Sequence, residues 1–165
     1  MRFSILATAL AAASSASAYI SGITLPKVVA PEEPFTLRLT WRYGQGATPR
    51  LGLSWGYTRI SDPSELGVVG DVGAYGSIAF IPDQANNGRD AILNLTTPSI
   101  LSDSTLMGQD MVFTVALFGD IGVHGTAQVV SYNTTIHIGE KTSTETTSSI
   151  GKGWVLQGGC GACRD

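Results

Sequence analysis

Cysteine is nearly absent from this chain: two residues among 165, Cys160 and Cys163, both within the last six positions. A disulfide framework of the kind that staples small secreted domains is therefore excluded for everything upstream, and the globular part must stand on a hydrophobic core. Long apolar runs are missing as well. The stretch from Ile5 to Ala13 is too short for the about 30 Å of bilayer hydrocarbon and no later stretch approaches a span, so no membrane insertion is expected. Basic clusters are missing: 10 Lys and Arg stand against 13 Asp and Glu with no basic run, which argues against nucleic acid and anionic membrane as partners. Histidine is reduced to His124 and His137, and neither a Gly-x-Ser-x-Gly elbow nor a catalytic cysteine accompanies them. No triad can be built, no metal or cofactor is expected, and the chain does not read as an enzyme.

What is present begins with a leader. Arg2 supplies a positive start, Ile5 to Ala13 an apolar centre, and Ala16-Ser17-Ala18 a small-residue cleavage site, so residues 1–18 read as a signal peptide cut between Ala18 and Tyr19. The product is expected to be secreted. Losing Arg2 makes the mature chain more acidic still. A mature N-terminal histidine would have suggested a copper oxygenase, and Tyr19 argues against that.

The clearest local pattern is Phe35 to Arg42, in which Phe35, Leu37, Leu39 and Trp41 alternate with Thr36, Arg38, Thr40 and Arg42. Only a strand puts those two sets on opposite faces. Leu51, Leu53, Trp55 and Tyr57 alternate in the same way with Gly52, Ser54, Gly56 and Thr58, which predicts a second half-buried strand with a flat outer face. Ser77 to Ile81, Ala91 to Thr96, Met111 to Phe118 and Ala127 to Ile138 are rich in Ile, Val, Phe, Tyr and Thr, and Tyr19 to Leu25 reads as an additional edge strand. Turn residues separate these runs: Pro31 and Pro34, Asn86-Asn87-Gly88, and Gly119 to Gly125. About seven short strands without helical periodicity predict an all-β fold, a two-sheet antiparallel sandwich of the immunoglobulin or fibronectin type, over residues 19–140.

From Lys141 the composition changes to Thr142, Ser143, Thr144, Thr146, Thr147, Ser148 and Ser149. Such a tract carries too little apolar surface to order itself, so residues 141–165 read as a linker or O-glycosylated stalk and a flexible tail. Removing Lys141 to Asp165 is accordingly expected to leave the melting temperature nearly unchanged.

Asn94-Leu95-Thr96 and Asn133-Thr134-Thr135 are N-glycosylation sequons. Parity turns Asn133 outward, opposite Val130, Tyr132, Ile136 and Ile138; for Asn94 it leaves the face open, because Ile92 shares its parity while Ala91, Leu93 and Leu95 take the other. Cys160-Gly161-Ala162-Cys163 has redox or half-zinc spacing without the strand-to-helix context or further ligands, so a tail disulfide or an intermolecular bridge is expected. Asp83 to Asp90 echoes a calcium loop but puts Ala85 at a ligand position, and a hairpin turn is the better reading. Asp62, Glu65 and Asp71 read as solvated loop charges rather than paired catalytic carboxylates, Trp41, Trp55 and Tyr57 as core, and Tyr43 and Tyr75 as loop contacts.

Five short segments, taken in order, resemble a known group: the leader, Tyr19-Ile-Ser-Gly-Ile23, Phe35-Thr-Leu-Arg-Leu39 after its Pro-rich entry, Val115-Ala-Leu-Phe-Gly119, and Tyr132 to Gly139 followed by Thr142-Ser143. That group is the necrosis-inducing secreted protein family of filamentous fungi. The resemblance implies a secreted effector that acts by protein-protein contact, induces plant cell death or suppresses plant immunity, and has host immune receptor kinases as partners. The segment Trp41-Arg-Tyr-Gly-Gln-Gly46 departs from the pattern expected of that family. The alternative reading is a non-catalytic carbohydrate-binding or cell-wall module with outward aromatics on one sheet face.

Overall fold

Where apolar and polar residues alternate with period two, the chain forms strands that bury one face. The computed structural model describes residues 16–45, 52–60, 69–70, 75–78, 90–121, 126–149 and 155–157. Along these run β1 (Ala16–Pro26), β2 (Val28–Val29), β3 (Pro34–Gln45), β4 (Gly52–Arg59) and β5 (Tyr75–Ile78). They are followed by β6 (Ala91–Thr96), β7 (Asp110–Ile121), β8 (Thr126–Ile138), β9 (Thr146–Ser148) and β10 (Val155–Gln157). A single 3-10 turn, Ser99–Ser102, interrupts the described strands and buries Leu101.

The strands form two sheets, the first in the order β6-β3-β1-β9 and the second in the order β10-β8-β7-β4-β5 with β2 alongside β8. Because β7 occupies one edge of β8 throughout, the other edge is shared: β10 meets Gln128–Val130 and β2 meets His137–Ile138. The β2–β8 pair is parallel, so the antiparallel sandwich expected from sequence carries one parallel contact.

The core lies between the sheets. Phe35, Leu37 and Leu39 of β3 and Leu93 and Leu95 of β6 face Leu53 and Tyr57 of β4, Phe113, Val115 and Leu117 of β7, and Tyr132, Ile136 and Ile138 of β8, all buried. Each such side chain withdraws apolar surface worth about 1.5–3 kcal/mol. Phe113 stands edge-on to both Phe35 and Tyr57, with ring centroids 6.0 and 5.2 Å away, adding about 0.5–1.5 kcal/mol per pair. The Tyr132 hydroxyl donates to the Ile20 carbonyl, tying the second sheet to β1 of the first.

Three sequence expectations change. Tyr19 to Leu25 is not an edge strand: β1 lies inside the first sheet, between β3 and β9, with a bulge at Ser21. The outer face of β4 is not open. Gly56 and Thr58 are buried, and a Cβ on Gly56 would stand 2.7 Å from the backbone nitrogen of Gly70, so the chain after β4 lies directly on the bare strand. Trp55 is only partly buried, and its ring covers Gly76 on β5, where a side chain would collide with it.

The third change concerns the Ser/Thr tract. Residues 142–149 are part of the sandwich, with Thr146–Ser148 paired to Thr24–Pro26 of β1. The physical reason is that hydroxyls are hydrogen-bond partners as well as solvent-seeking groups. Thr142 Oγ1 accepts from the Ala30 amide at 3.1 Å, Ser143 Oγ from Val28 at 3.2 Å, and Ser149 Oγ from Ile23 at 3.0 Å. Backbone bonds run alongside, from Lys27 N–H to the Glu145 carbonyl, Ser143 N–H to Val28 and Ser149 N–H to Ile23. The domain therefore extends at least to Ser149, and the boundary expected at residue 140 is moved.

Candidate interaction surface

The two outer faces of the sandwich are unequal. On the second sheet Val112, Thr114 and Ala116 of β7, Thr58 of β4 and Ser131 of β8 all point away from the core and are nevertheless buried. The Thr114 hydroxyl is enclosed there without a hydrogen-bond partner. Phe118, 44% exposed, lies at one end of this covered face. The outer face of the first sheet is open. Thr36, Arg38 and Arg42 of β3 and Ile92, Asn94 and Thr96 of β6 are exposed, with Thr24 of β1 half-buried beside them.

The open face is flat, hydroxyl-rich and carries two guanidinium groups. Arg38, exposed, pairs with the half-buried Asp90 at 3.8 Å, a long contact on the surface that contributes little and leaves the guanidinium available. On the next strand Thr24 Oγ1 and Ser148 Oγ lie 2.8 Å apart, extending the polar row onto β9. No aromatic side chain stands among these described positions, so they do not form a stacking platform for sugars.

At one end of this sheet a turn and the C-terminal segment meet. Pro31 and Glu32 form a tight turn closed by Glu33 N–H to the Ala30 carbonyl at 3.3 Å, and Glu32 takes φ +60°, a conformation usually left to glycine. Glu33 then accepts from the Thr142 amide at 2.9 Å. That amide first, and the Thr142 hydroxyl second, hold the Glu33 carboxyl below its ordinary value. Thr97 donates its amide and its hydroxyl to the Glu33 carbonyl, at 3.1 and 3.0 Å. Three distant parts of the chain are thus joined at one residue.

Of the residues singled out by sequence, Asn94 lies on the open face, its amide oxygen accepting from Thr36 Oγ1 at 3.4 Å. Asn133 lies opposite Thr114 on the covered face and is half-buried. The Ala18–Tyr19 bond lies inside β1, where Ala18 and Tyr19 pair with Tyr43 and Arg42, so cleavage there trims the strand to its inner part. His137 Nδ1 is 2.9 Å from Asp110 Oδ1, a cross-strand pair at the exposed end of β7 and β8. Among the described residues no three His, Cys, Asp or Glu side chains gather as a metal site. Cys160, Cys163, His124, Asp62, Glu65, Asp71, Asp83 and the Asn86–Gly88 turn lie outside the described residues, as do the side chains of Trp41, Tyr43 and Tyr75. Among the described residues no helix is long and apolar enough to cross a membrane.

With this geometry in hand, comparison with known proteins is decisive for the family. A profile of the Nis1 family matches residues 16–137, from the first residue of β1 to the penultimate residue of β8. The chain belongs to the Nis1 family. It is 31% identical over 144 residues to necrosis-inducing secreted protein 1 of Colletotrichum orbiculare, a match that covers 83% of this chain and 82% of the relative. The family match thus takes in both sheets of the Nis1 sandwich except β9 and β10, and its end falls just before the Ser/Thr segment that closes the first sheet.

Sequence reasoning missed two features of this surface. Ile92, the most exposed large apolar side chain among the described residues, gave no signal, because which parity of β6 faces outward is set by its pairing with β3. The three hydroxyls of the C-terminal segment gave a signal that composition alone reads as disorder.

Proposed function

We propose that this protein is a secreted effector that acts by protein-protein contact, inducing plant cell death or suppressing signalling through plant immune receptor kinases, without catalysis. The observation that carries the reading is the 31% identity, over most of both chains, with a relative named for secretion and for inducing necrosis. The geometry supports a contact mechanism: one sheet face is covered by the chain itself, while the other is flat, polar and open around Arg38 and Arg42. Guanidinium groups on a hydroxyl-rich sheet suit a partner that offers carboxylates or phosphorylated side chains, since the planar fork pairs with both.

The test is expression of the mature chain in leaf tissue beside an Arg38→Glu/Arg42→Glu variant. The expected result is host cell death or a damped immune oxidative burst with the parent chain, and loss of that effect in the variant at unchanged melting temperature. A folded, secreted parent chain that produces neither response overturns the effector reading. Equal responses from both chains overturn the assignment of the contact to this face.

A further inference from the structure

Two sequons of the same type stand on this sandwich, and their surroundings differ in ways that bear on modification. Among the described residues β6 is the margin of the first sheet and pairs with β3. Its burial alternates strictly: Ala91, Leu93 and Leu95 are buried while Ile92, Asn94 and Thr96 are exposed. Both sequon side chains that a transferase must engage, the asparagine amide and the threonine hydroxyl, therefore stand on the open face. The Asn94 amide oxygen accepts from Thr36 Oγ1 at 3.4 Å, and the side chain is exposed. Ile92, 52% exposed, sits two residues away on the same face, within about 7 Å, and its apolar surface is what the flat face of a first sugar ring can cover.

Asn133 is half-buried on the covered face, although its sequon threonine, Thr135, is exposed. Its neighbours on that face, Thr114 across the ladder and Ser131 along the strand, are 1% and 8% exposed. A glycan stem there would have to leave through a layer that already buries both.

We propose that Asn94 carries the N-linked glycan of this protein, that Asn133 carries none, and that the glycan shields Ile92 and the margin strand β6. In the transfer, Asn94 Nδ2 attacks the anomeric carbon of an oligosaccharide held on a polyprenyl pyrophosphate. The C–N bond forms, the C–O bond to the pyrophosphate breaks, the lipid pyrophosphate leaves, and the amide proton passes to a base of the transferase. A bulky hydrated group on a margin strand prevents edge-to-edge pairing, the hazard such strands carry. The glycan also confines any protein partner to the β1 side of the open face.

The inference rests on the secretion part of the proposed function, and the experiment separates the two. The full chain is secreted from yeast, once behind its own residues 1–18 and once behind an established leader, and its intact mass is measured before and after peptide N-glycosidase. Failure of secretion with its own leader alone counts against the secretion reading and leaves the second arm to decide the glycan. The expected result is one glycan, absent from Asn94→Gln and retained in Asn133→Gln. After enzymatic removal, light scattering should register association that Ile92→Thr suppresses. An unmodified Asn94 or a glycan on Asn133 overturns the site assignment, and a deglycosylated chain that stays monomeric overturns the shielding role.

Discussion

Replacing three hydroxyls tests whether the Ser/Thr segment is a structural part of the sandwich. Thr142→Val, Ser143→Ala and Ser149→Ala remove the acceptors of the Ala30, Val28 and Ile23 amides. Ile23 and Ala30 are buried residues, so their orphaned N–H groups should cost about 1–2 kcal/mol each; Val28 is half-buried and water can replace part of its bond, so about 0.5–1 kcal/mol is expected there. The triple variant should lose about 2.5–5 kcal/mol, a large share of the about 5–15 kcal/mol that holds a domain of this size. At roughly 3–4 °C per kcal/mol, the melting temperature should fall by about 8–20 °C. Val28 and Ala30 are close in sequence, so the single variants need measuring beside the triple to separate coupling from additivity. Thr144→Ala serves as the control, because Thr144 is exposed and its replacement should stay within about 0.5 kcal/mol. Thermal unfolding followed by circular dichroism provides the readout. A triple variant no less stable than the control would refute the reasoning and return the segment to the status of a linker.

Other consequences can be checked on the same protein. Glu33→Gln should flatten the acid limb of stability: the Thr142 amide depresses the folded carboxyl below 4.5, so its contribution is complete above that value and is lost as pH falls through the lower folded one, readable in melting temperature against pH. The Tyr57 hydroxyl is buried and closes no hydrogen bond, and burial pushes its pKa far up against a smaller lowering by the neighbouring Thr97 hydroxyl. Tyr57→Phe should therefore be neutral or stabilising by up to about 1 kcal/mol at pH 7. Above pH 10 the unfolded phenol ionises while the buried one stays protonated, so the parent chain should lose about 1.4 kcal/mol per pH unit that Tyr57→Phe keeps, measured by urea unfolding. Gly56→Ala should destabilise by about 1–3 kcal/mol in the same assay, because the new methyl meets the Gly70 backbone rather than water.

The strands were legible in the sequence wherever one face is apolar and the other polar. Phe35 to Arg42 and Met111 to Phe118 fall inside β3 and β7, and Ala91 to Thr96 coincides with β6. What stayed illegible depends on partners far away along the chain. Thr58 and Thr114 alternate as outward residues should, yet are buried, because coverage of a sheet's outer face is set by a connection and not by the strand's own pattern. Val28 and Val29 are too few to show a period, and only their pairing to His137 and Ile138 makes them a strand. The orientation of Asn94 became clear only once Leu93 and Leu95 were paired with Leu37 and Phe35. Thr142, Ser143 and Ser149 look the same in composition whether their hydroxyls face water or accept from amides more than a hundred residues earlier.

That sequence separation has a consequence for how the chain reaches its secreted form. β1 is the element on which the first sheet depends: it pairs with β3 on one side and β9 on the other, and its Ile20 carbonyl receives the bond from Tyr132 of the second sheet. The residues that complete it come after all its other partners in the chain, so the first sheet closes only after Ser149 has been made, and the contacts that close it are of the non-local kind that form slowly. The outer end of β1 contains the Ala18–Tyr19 bond at which the sequence predicts cleavage, with Ala18 opposite Tyr43. Cutting at that bond leaves Ile23, Thr24, Leu25 and Pro26, which meet the C-terminal segment, untouched, and removes pairs only from the far end of β3. Cleavage at the bond predicted from sequence and closure by the Ser/Thr segment would therefore act on opposite ends of one strand, and neither would have to undo the other.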